Sequence, residues 1–391
     1  MLFTVSTVKE SVAGLERFVA RNLAGGVDHL FLFVDDLETS VAATLDQHPH
    51  VTAISTGPNW WHGKRPRQLN VRQRINANVA KAMLAGVAGD DDWIFHIDGD
   101  EALQVDRPAL AALPADVRVV RMPPLEAVSR KKWPGGNVTH FKKMLAPEEL
   151  TLLHVLGVLE EPTNGHYFHG HCDGKSGLRP ALDLWITLHT VHDADQRTVD
   201  AEIGVGRMLH YESWSGDEFV RKWMNILESG SKVSFRPVRE PTAVALRSLI
   251  RRELPKRTMR KYLMQIFERT TEDDFETLRD LDLLEQVDPM AGSHTPVRLA
   301  PDVDADLRAL FAAVEPENKW AFHTGRTAGN MVARLDEARG RLTPALAERV
   351  RPRWTLPEEL LRTHDAQGEV DLADDQGSDQ GSDQGSDQGS E

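Results

Sequence analysis

Trp93-Ile94-Phe95-His96-Ile97-Asp98-Gly99-Asp100-Glu101 decides the fold of this chain, because an apolar run there ends abruptly in two carboxylates that flank a glycine. Read as a buried strand, it delivers Asp-x-Asp at its carboxyl end. Hard cations such as Mg²⁺ and Mn²⁺ take carboxylate oxygens and commonly share their shell with a substrate's phosphates. The same tripeptide also suits an acidic turn that caps a following helix. Its neighbours have to choose between the two readings.

Upstream, Leu2–Val8 is rich in β-branched residues and reads as a buried strand. Ser11 then caps a helix whose apolar positions Val12, Leu15, Phe18, Val19 and Leu23 follow helical spacing, and Gly25-Gly26 stops it. A second strand, His29–Val34, runs into Asp35-Asp36. Strand, helix and strand within 36 residues make a βαβ unit, so a parallel sheet with right-handed crossovers is expected. The pattern continues with a short helix at 41–45, a strand at Val51–Ser55 and a loop at 57–63 carrying Trp60 and Trp61. A helix at 69–84 has Val71, Ile75, Val79 and Met83 on one face. After the opening stretch come a short helix at 108–113 and a strand at 117–122. The class is α/β with a mostly parallel, Rossmann-like sheet. Carboxylates at strand carboxyl ends face the crevice where open α/β sheets bind ligands. Asp35, Asp98 and Asp100 therefore share one crevice, which favours the metal reading. A calcium-binding EF-hand loop is excluded, because Ala102 and Leu103 stand where it needs oxygen ligands and a glycine.

Downstream the pattern loosens from 123 to 179, where histidines concentrate. Strand-like segments follow at 181–191 and 204–211, then an amphipathic helix at 215–227 with Phe219 and Trp223 inward. Beyond about 236 the spacing is helical at 243–267, 272–284, 306–314 and 331–347, with Pro255 breaking or kinking the first of these. The expected organisation is a catalytic domain at 1–235, a helical extension at 236–370 and a tail at 371–391. The tail contains four Asp-Gln-Gly-Ser repeats and has too little apolar surface to offset the entropy of ordering, so it reads as disordered.

The formal charge of −14 is concentrated at the end of the 391 residues. Eight acids and no Lys or Arg follow Gln367, which leaves −6 for the remainder and argues against general nucleic-acid binding. The single cysteine, Cys172, excludes an intrachain disulfide. No secretory leader and no apolar run of membrane-spanning length is present, so a cytoplasmic protein is expected. A basic amphipathic segment at 246–262, with Arg247, Arg251, Arg252, Lys256, Arg257, Arg260 and Lys261, suits a peripheral contact at the inner face of a membrane as well as an ordinary solvated helix face.

Gly174-Lys175-Ser176 is not a phosphate-binding Walker loop, since His169 stands where the first glycine belongs. His166-x-x-His169-x-His171 has zinc-like spacing but lacks the companion Cys pair or helical His-Glu-x-x-His of the familiar sites.

Several stretches taken together resemble the family 2-type glycosyltransferases, and more narrowly the branch related to family 92. They are Val8-Lys9-Glu10, Gly26-Val27-Asp28-His29 before the strand ending in Asp35-Asp36, the Trp93–Glu101 stretch, Gly174-Lys175-Ser176-x-x-Arg179-Pro180, the His189 region, and His210-Tyr211-x-x-x-Ser215-x-x-x-Phe219-x-x-Lys222-Trp223. The similarity runs in order from Met1 to Trp223. It implies a GT-A fold, a nucleotide-sugar donor, a Mn²⁺ or Mg²⁺ ion between Asp-x-Asp and the diphosphate, and inverting transfer to a hydroxyl acceptor on a glycan, a lipid-linked carrier or a small molecule. On this resemblance Asp98 and Asp100 hold the metal, with Asp98 alternatively on the ribose, and Asp35 and Asp36 meet the nucleoside. Lys175 and Arg179 face phosphates or acceptor. His192, His189 or His210 completes the metal shell, with His192 preferred because it follows a strand. A base for the acceptor hydroxyl is sought among Asp173, Glu161 and Glu126. Leu37 and Glu38 depart from the family's usual Asn and Ser. The alternatives are a nucleotidyltransferase on the same sheet, against which Lys9-Glu10-Ser11 stands in place of a Gly-rich loop, and a non-catalytic carbohydrate-binding module.

Overall fold

The structure, a computed structural model, describes residues 1–35, 39–228, 240–292 and 294–354. Asp36 and the repeat tail lie outside the described residues. The first half alternates strands and helices as the periodicity requires: β1 (Leu2–Val8), α1 (Val12–Ala24), β2 (His29–Val34), α2 (Thr39–Leu45), β3 (Val51–Ser55), α3 (Pro58–Trp61), α4 (Leu69–Ala85) and β4 (Trp93–His96). The Ser11 hydroxyl accepts the Gly14 N–H at 3.3 Å, capping α1 as expected. Beyond the turn at 97–100 come β5 (Glu101–Val105), α5 (Arg107–Ala111), β6 (Val119–Met122), β7 (Pro124–Ala127), β8 (His140–Lys142), α6 (Pro147–Val155), α7 (Asn164–Tyr167) and β9 (Lys175–Leu178). A small hairpin, β10 (Trp185–Ile186) and β11 (Val191–His192), precedes β12 (Gly206–His210) and α8 (Gly216–Glu228). The chain continues through α9 (Glu240–Ile250), α10 (Lys256–Thr270), α11 (Phe275–Asp280), β13 (Leu284–Gln286), α12 (Pro301–Val314), α13 (Ala328–Arg339) and α14 (Pro344–Val350).

Two sheets carry the architecture. The first has the order β3-β2-β1-β4-β9-β6, with β3, β2, β1 and β4 parallel and β9 antiparallel to both of its neighbours. Alternate residues of its central strands enter different cores, as a period of two demands. Leu2, Leu30 and Leu32 pack with Leu15, Phe18 and Val19 of α1, whereas Phe3, Val5, Phe31 and Phe33 pack with α4, Leu310 and Phe311. The helices from 301 to 350 thus roof one face of the sheet and share its core. The second sheet has the order β13-β8-β7-β12-β5. A third apolar cluster joins α8, α9 and α10 through Phe219, Trp223, Leu246, Leu263 and Phe267.

Two local expectations change. The segment at 181–191 is a turn and a two-residue-per-strand hairpin, because Leu184, Trp185 and Ile186 bury against the α4 core without a long ladder. The helix expected at 272–284 stops at Asp280, since Asp282 adopts a left-handed φ of 58° and Leu284–Gln286 then pairs with β8. The helical segment at 243–267 is broken at Pro255, as its sequence indicates, into α9 and α10, with Pro255 capping the second. No helix among the described residues is long and apolar enough to cross a membrane.

Candidate functional site

The Asp98-Gly99-Asp100 turn joins the two sheets, closing β4 in the first and opening β5 in the second. Each of its aspartates is held by its own lysine. Gly177 of β9 sits opposite Phe95, so Lys175, two residues earlier on an antiparallel strand, reaches the carboxyl end of β4. Its fully buried ammonium donates to Asp98 Oδ2 at 2.7 Å and to the Leu188 carbonyl at 3.1 Å, and stands 3.5 Å from Glu101 Oε2. Gln73 on α4 also donates to Asp98, and the Asp98 N–H donates to Glu101 Oε2 at 2.7 Å. Burial alone would raise the Asp98 carboxyl, but the Lys175 charge and hydrogen bond hold it well below the usual carboxylate range. Asp100 accepts from Lys222 of α8 at 2.9 Å, and Lys222 also donates to Glu212 at 2.6 Å.

Gly174 makes this placement of Lys175 possible. Its φ is +68°, and a Cβ there would overlap the Met122 carbonyl oxygen. Gly174→Ala is expected to cost about 1–3 kcal/mol in urea unfolding, since backbone rather than a flexible side chain must move. A cost under about 0.5 kcal/mol would show that β9 starts differently.

The second sheet supplies a polar rung. In register across β5, β12, β7 and β8 lie Glu101, His210, Glu126 and Lys142, all buried and alternating acid with base. Lys142 pairs with Glu126 at 2.9 Å and with Asp273 at 3.1 Å, and His169 Nε2 lies 3.1 Å from the same Asp273 oxygen. Burial would raise the Glu126 and Asp273 carboxyls, but Lys142 and His169 lower both, Asp273 to about 2. The rings of His171 and His189 are 4.1 Å apart between centroids, and those of His171 and His210 are 4.9 Å apart. Burial and the nearby Lys175 push His189 down to about 2, so its imidazole is neutral.

Three groups of side chains present mutually close ligand atoms, within 4.8 Å of one another: Glu101, His171 and His210; His171, Asp173 and His189; and Asp100, His210 and Glu212. Asp98, Asp100, Lys175, His189 and His210 are therefore brought together as expected, and Asp173 lies at their exposed rim. Asp35 is at the expected strand end, but its carboxylate is occupied by Arg65 at 2.9 Å and Arg72 at 3.0 Å. Arg179 is at the far end of β9, over the Trp93 ring and bonded to the Asp90 and Val117 carbonyls. Four strand residues span about 13 Å, and its guanidinium is committed at the Trp93 end of the strands, away from the Asp98 turn. His192 sits in the hairpin between Thr190 and Thr198 rather than beside the aspartates. Glu161 is an exposed neighbour of His166. Glu126 is sealed into the rung, accepting from the His169 and Gly170 backbone, and presents no face to an acceptor. The three spaced histidines diverge: His166 turns to Thr163, His169 to Asp273 and His171 to Glu101.

Glu101, Glu212 and Lys222 carry no assignment from the sequence, and His171 figures there only in the His166-x-x-His169-x-His171 spacing. Glu101 directly adjoins Asp-x-Asp, and Lys222 lies one turn beyond Glu218 on the same face of α8. Nothing local distinguishes them from surface charges. A crevice beside the turn is lined by Arg17, Arg21, Gly99, Asp100, Arg221 and Lys222. No protein-family model matches the chain, and no curated protein matches it.

Proposed function

We propose that the protein is a metal-dependent glycosyltransferase of GT-A type, moving a sugar from a nucleotide-diphosphate donor to a hydroxyl acceptor on a glycan, a lipid-linked carrier or a small molecule. The observation that carries this reading is the convergence of Asp100, His210 and Glu212 beside Asp98, at the carboxyl edge of a parallel sheet. Two carboxylates and one imidazole suit Mn²⁺ better than Mg²⁺, which prefers oxygen ligands and retains more water. When bound, the ion would neutralise charge developing on the leaving diphosphate. The protein's own groups support that task. Lys175 keeps Asp98 ionised, and the crevice next to Asp100 carries Arg17 and Arg21 beside Arg221 and Lys222, the last two paired with Glu10 and Glu218 and with Asp100 and Glu212. Lys222 now bridges Asp100 and Glu212, so it is the group that gives way to, or stands beside, the ion.

Calorimetric titration with UDP and with GDP, each with and without Mn²⁺, tests the proposal. At least one nucleotide is expected to bind more tightly with Mn²⁺, and Asp100→Asn to weaken that Mn²⁺-dependent binding by about tenfold or more. An unchanged Mn²⁺ dependence in Asp100→Asn would overturn the assignment.

A further inference from the structure

A second set of ligand atoms converges on the other side of Lys175. His171 and Asp173 come from the loop between α7 and β9, and His189 from the turn between β10 and β11. The hydrogen bonds show which nitrogen of each ring donates. His171 Nε2 lies 2.9 Å from Glu101 Oε1, and that carboxylate can only accept, so Nε2 carries the proton. In the neutral ring that leaves Nδ1 as the lone-pair nitrogen, and Nδ1 is buried with no hydrogen-bond partner among the described residues. His189 Nδ1 lies 3.1 Å from the Gly174 carbonyl and must donate, which frees its Nε2. The third member, Asp173, keeps an exposed side chain with only a 4.0 Å approach from Arg121.

An imidazole that donates one N–H to a carboxylate or a carbonyl while the opposite nitrogen points at an ion is the usual arrangement around a protein-bound transition metal. A buried polar nitrogen left unsatisfied is costly and uncommon, so its presence in one of three converging ligands calls for a partner. We infer that His171 through Nδ1, His189 through Nε2 and a carboxylate oxygen of Asp173 form a site for a borderline transition cation of the zinc class. Two neutral imidazoles and one carboxylate match Zn²⁺ or Co²⁺ rather than Mg²⁺ or Ca²⁺, and three protein ligands leave one tetrahedral position for water.

The ion would tie the 171–173 loop to the turn at 187–190. Lys175 is clasped between them, donating to Leu188 on one side and to Asp98 on the other. The site is thus a clamp on the cation that positions Asp98. It shares no ligand with the Asp100, His210 and Glu212 set and does not depend on glycosyl transfer.

Co²⁺ alone, followed by visible absorption on the full chain, tests the inference. The titration is made in the Asp100→Asn background, which disables the first set. A single Co²⁺ is expected to bind with the strong absorption of a four-coordinate, nitrogen-ligated ion, and Zn²⁺ to displace it. Adding Asp173→Asn, or His189→Gln, is expected to weaken binding by about tenfold or more, with circular dichroism unchanged. Asp173 is exposed, so its variant folds even if that of His189 does not. Absorption and affinity that survive Asp173→Asn unchanged would overturn the site, as would loss of Co²⁺ binding in Asp100→Asn alone.

Discussion

Lys142→Met is expected to remove about 3–5 kcal/mol of stability, the cost of breaking a buried ion pair from one side. The Lys142 ammonium is fully buried, 2.9 Å from Glu126, 3.1 Å from Asp273 and 2.8 Å from the Tyr167 carbonyl. Methionine fills a similar volume but leaves two carboxylates in the interior without their ammonium partner. The native chain carries a total margin of order 5–15 kcal/mol, so this one change removes a large part of it. Urea unfolding followed by far-ultraviolet circular dichroism measures the loss. Adding Glu126→Gln should recover part of it, because one of the two uncompensated charges is then gone. A loss below about 1 kcal/mol in Lys142→Met would mean that the rung is wetter or looser than it stands here.

That rung also explains what was and was not legible in the sequence. The strands β1, β2 and β4 announce themselves because they are buried on both faces and therefore largely apolar or β-branched. The second sheet gives no such signal. Its strands are three to five residues long and contribute Glu101, Glu126, Lys142 and His210 to the interior. Charges read one strand at a time look like surface, and they become core only through partners 16 to 131 positions away, with Asp273 lying beyond the expected domain end. The site follows the same rule. Asp98 and Asp100 were legible because an apolar run aims them. Asp35 was legible in place but not in availability, because Arg65 and Arg72 arrive from later in the chain. Lys175 and Arg179 look like one motif, yet a strand's rise separates them to opposite edges of the sheet. His192 lies within β11 of the hairpin instead of following a strand of either sheet, and His210 takes the place beside Asp100 because β12 pairs directly with β5.

Acid should unfold this protein in two stages, the first beginning where histidine, not carboxylate, titrates. His29 and His96 are almost completely buried, and burial pushes their pKa values down to about 3 and about 4. In the unfolded chain both would titrate near the ordinary value of about 6.5. A depressed folded value means that the unfolded state binds more protons, so their contribution is whole above about pH 6.5 and is lost as the pH falls toward the folded values. Each contributes a slope of up to about 1.4 kcal/mol per pH unit. The carboxylates then add the second stage. Asp98, Asp100, Glu101, Glu126 and Asp273 are all lowered in the fold: burial opposes ionisation, but Lys175, Lys222 and Lys142 prevail. Their contribution is whole above the unfolded carboxylate range near pH 4 and is lost below it. Asp273, falling from 3.8 to about 2, accounts for about 2 kcal/mol by itself. The raised values of Lys142 and Lys175 oppose neither stage, because their share is lost only as the pH climbs past the ordinary lysine range. Urea midpoints measured from pH 8 to pH 3 should therefore hold level to about 6.5, decline gently, and steepen near 4. His29→Asn should flatten the gentle phase by up to about 1.4 kcal/mol per pH unit and leave the steep one in place. Stability that stays level down to pH 4.5 would contradict the burial of both histidines.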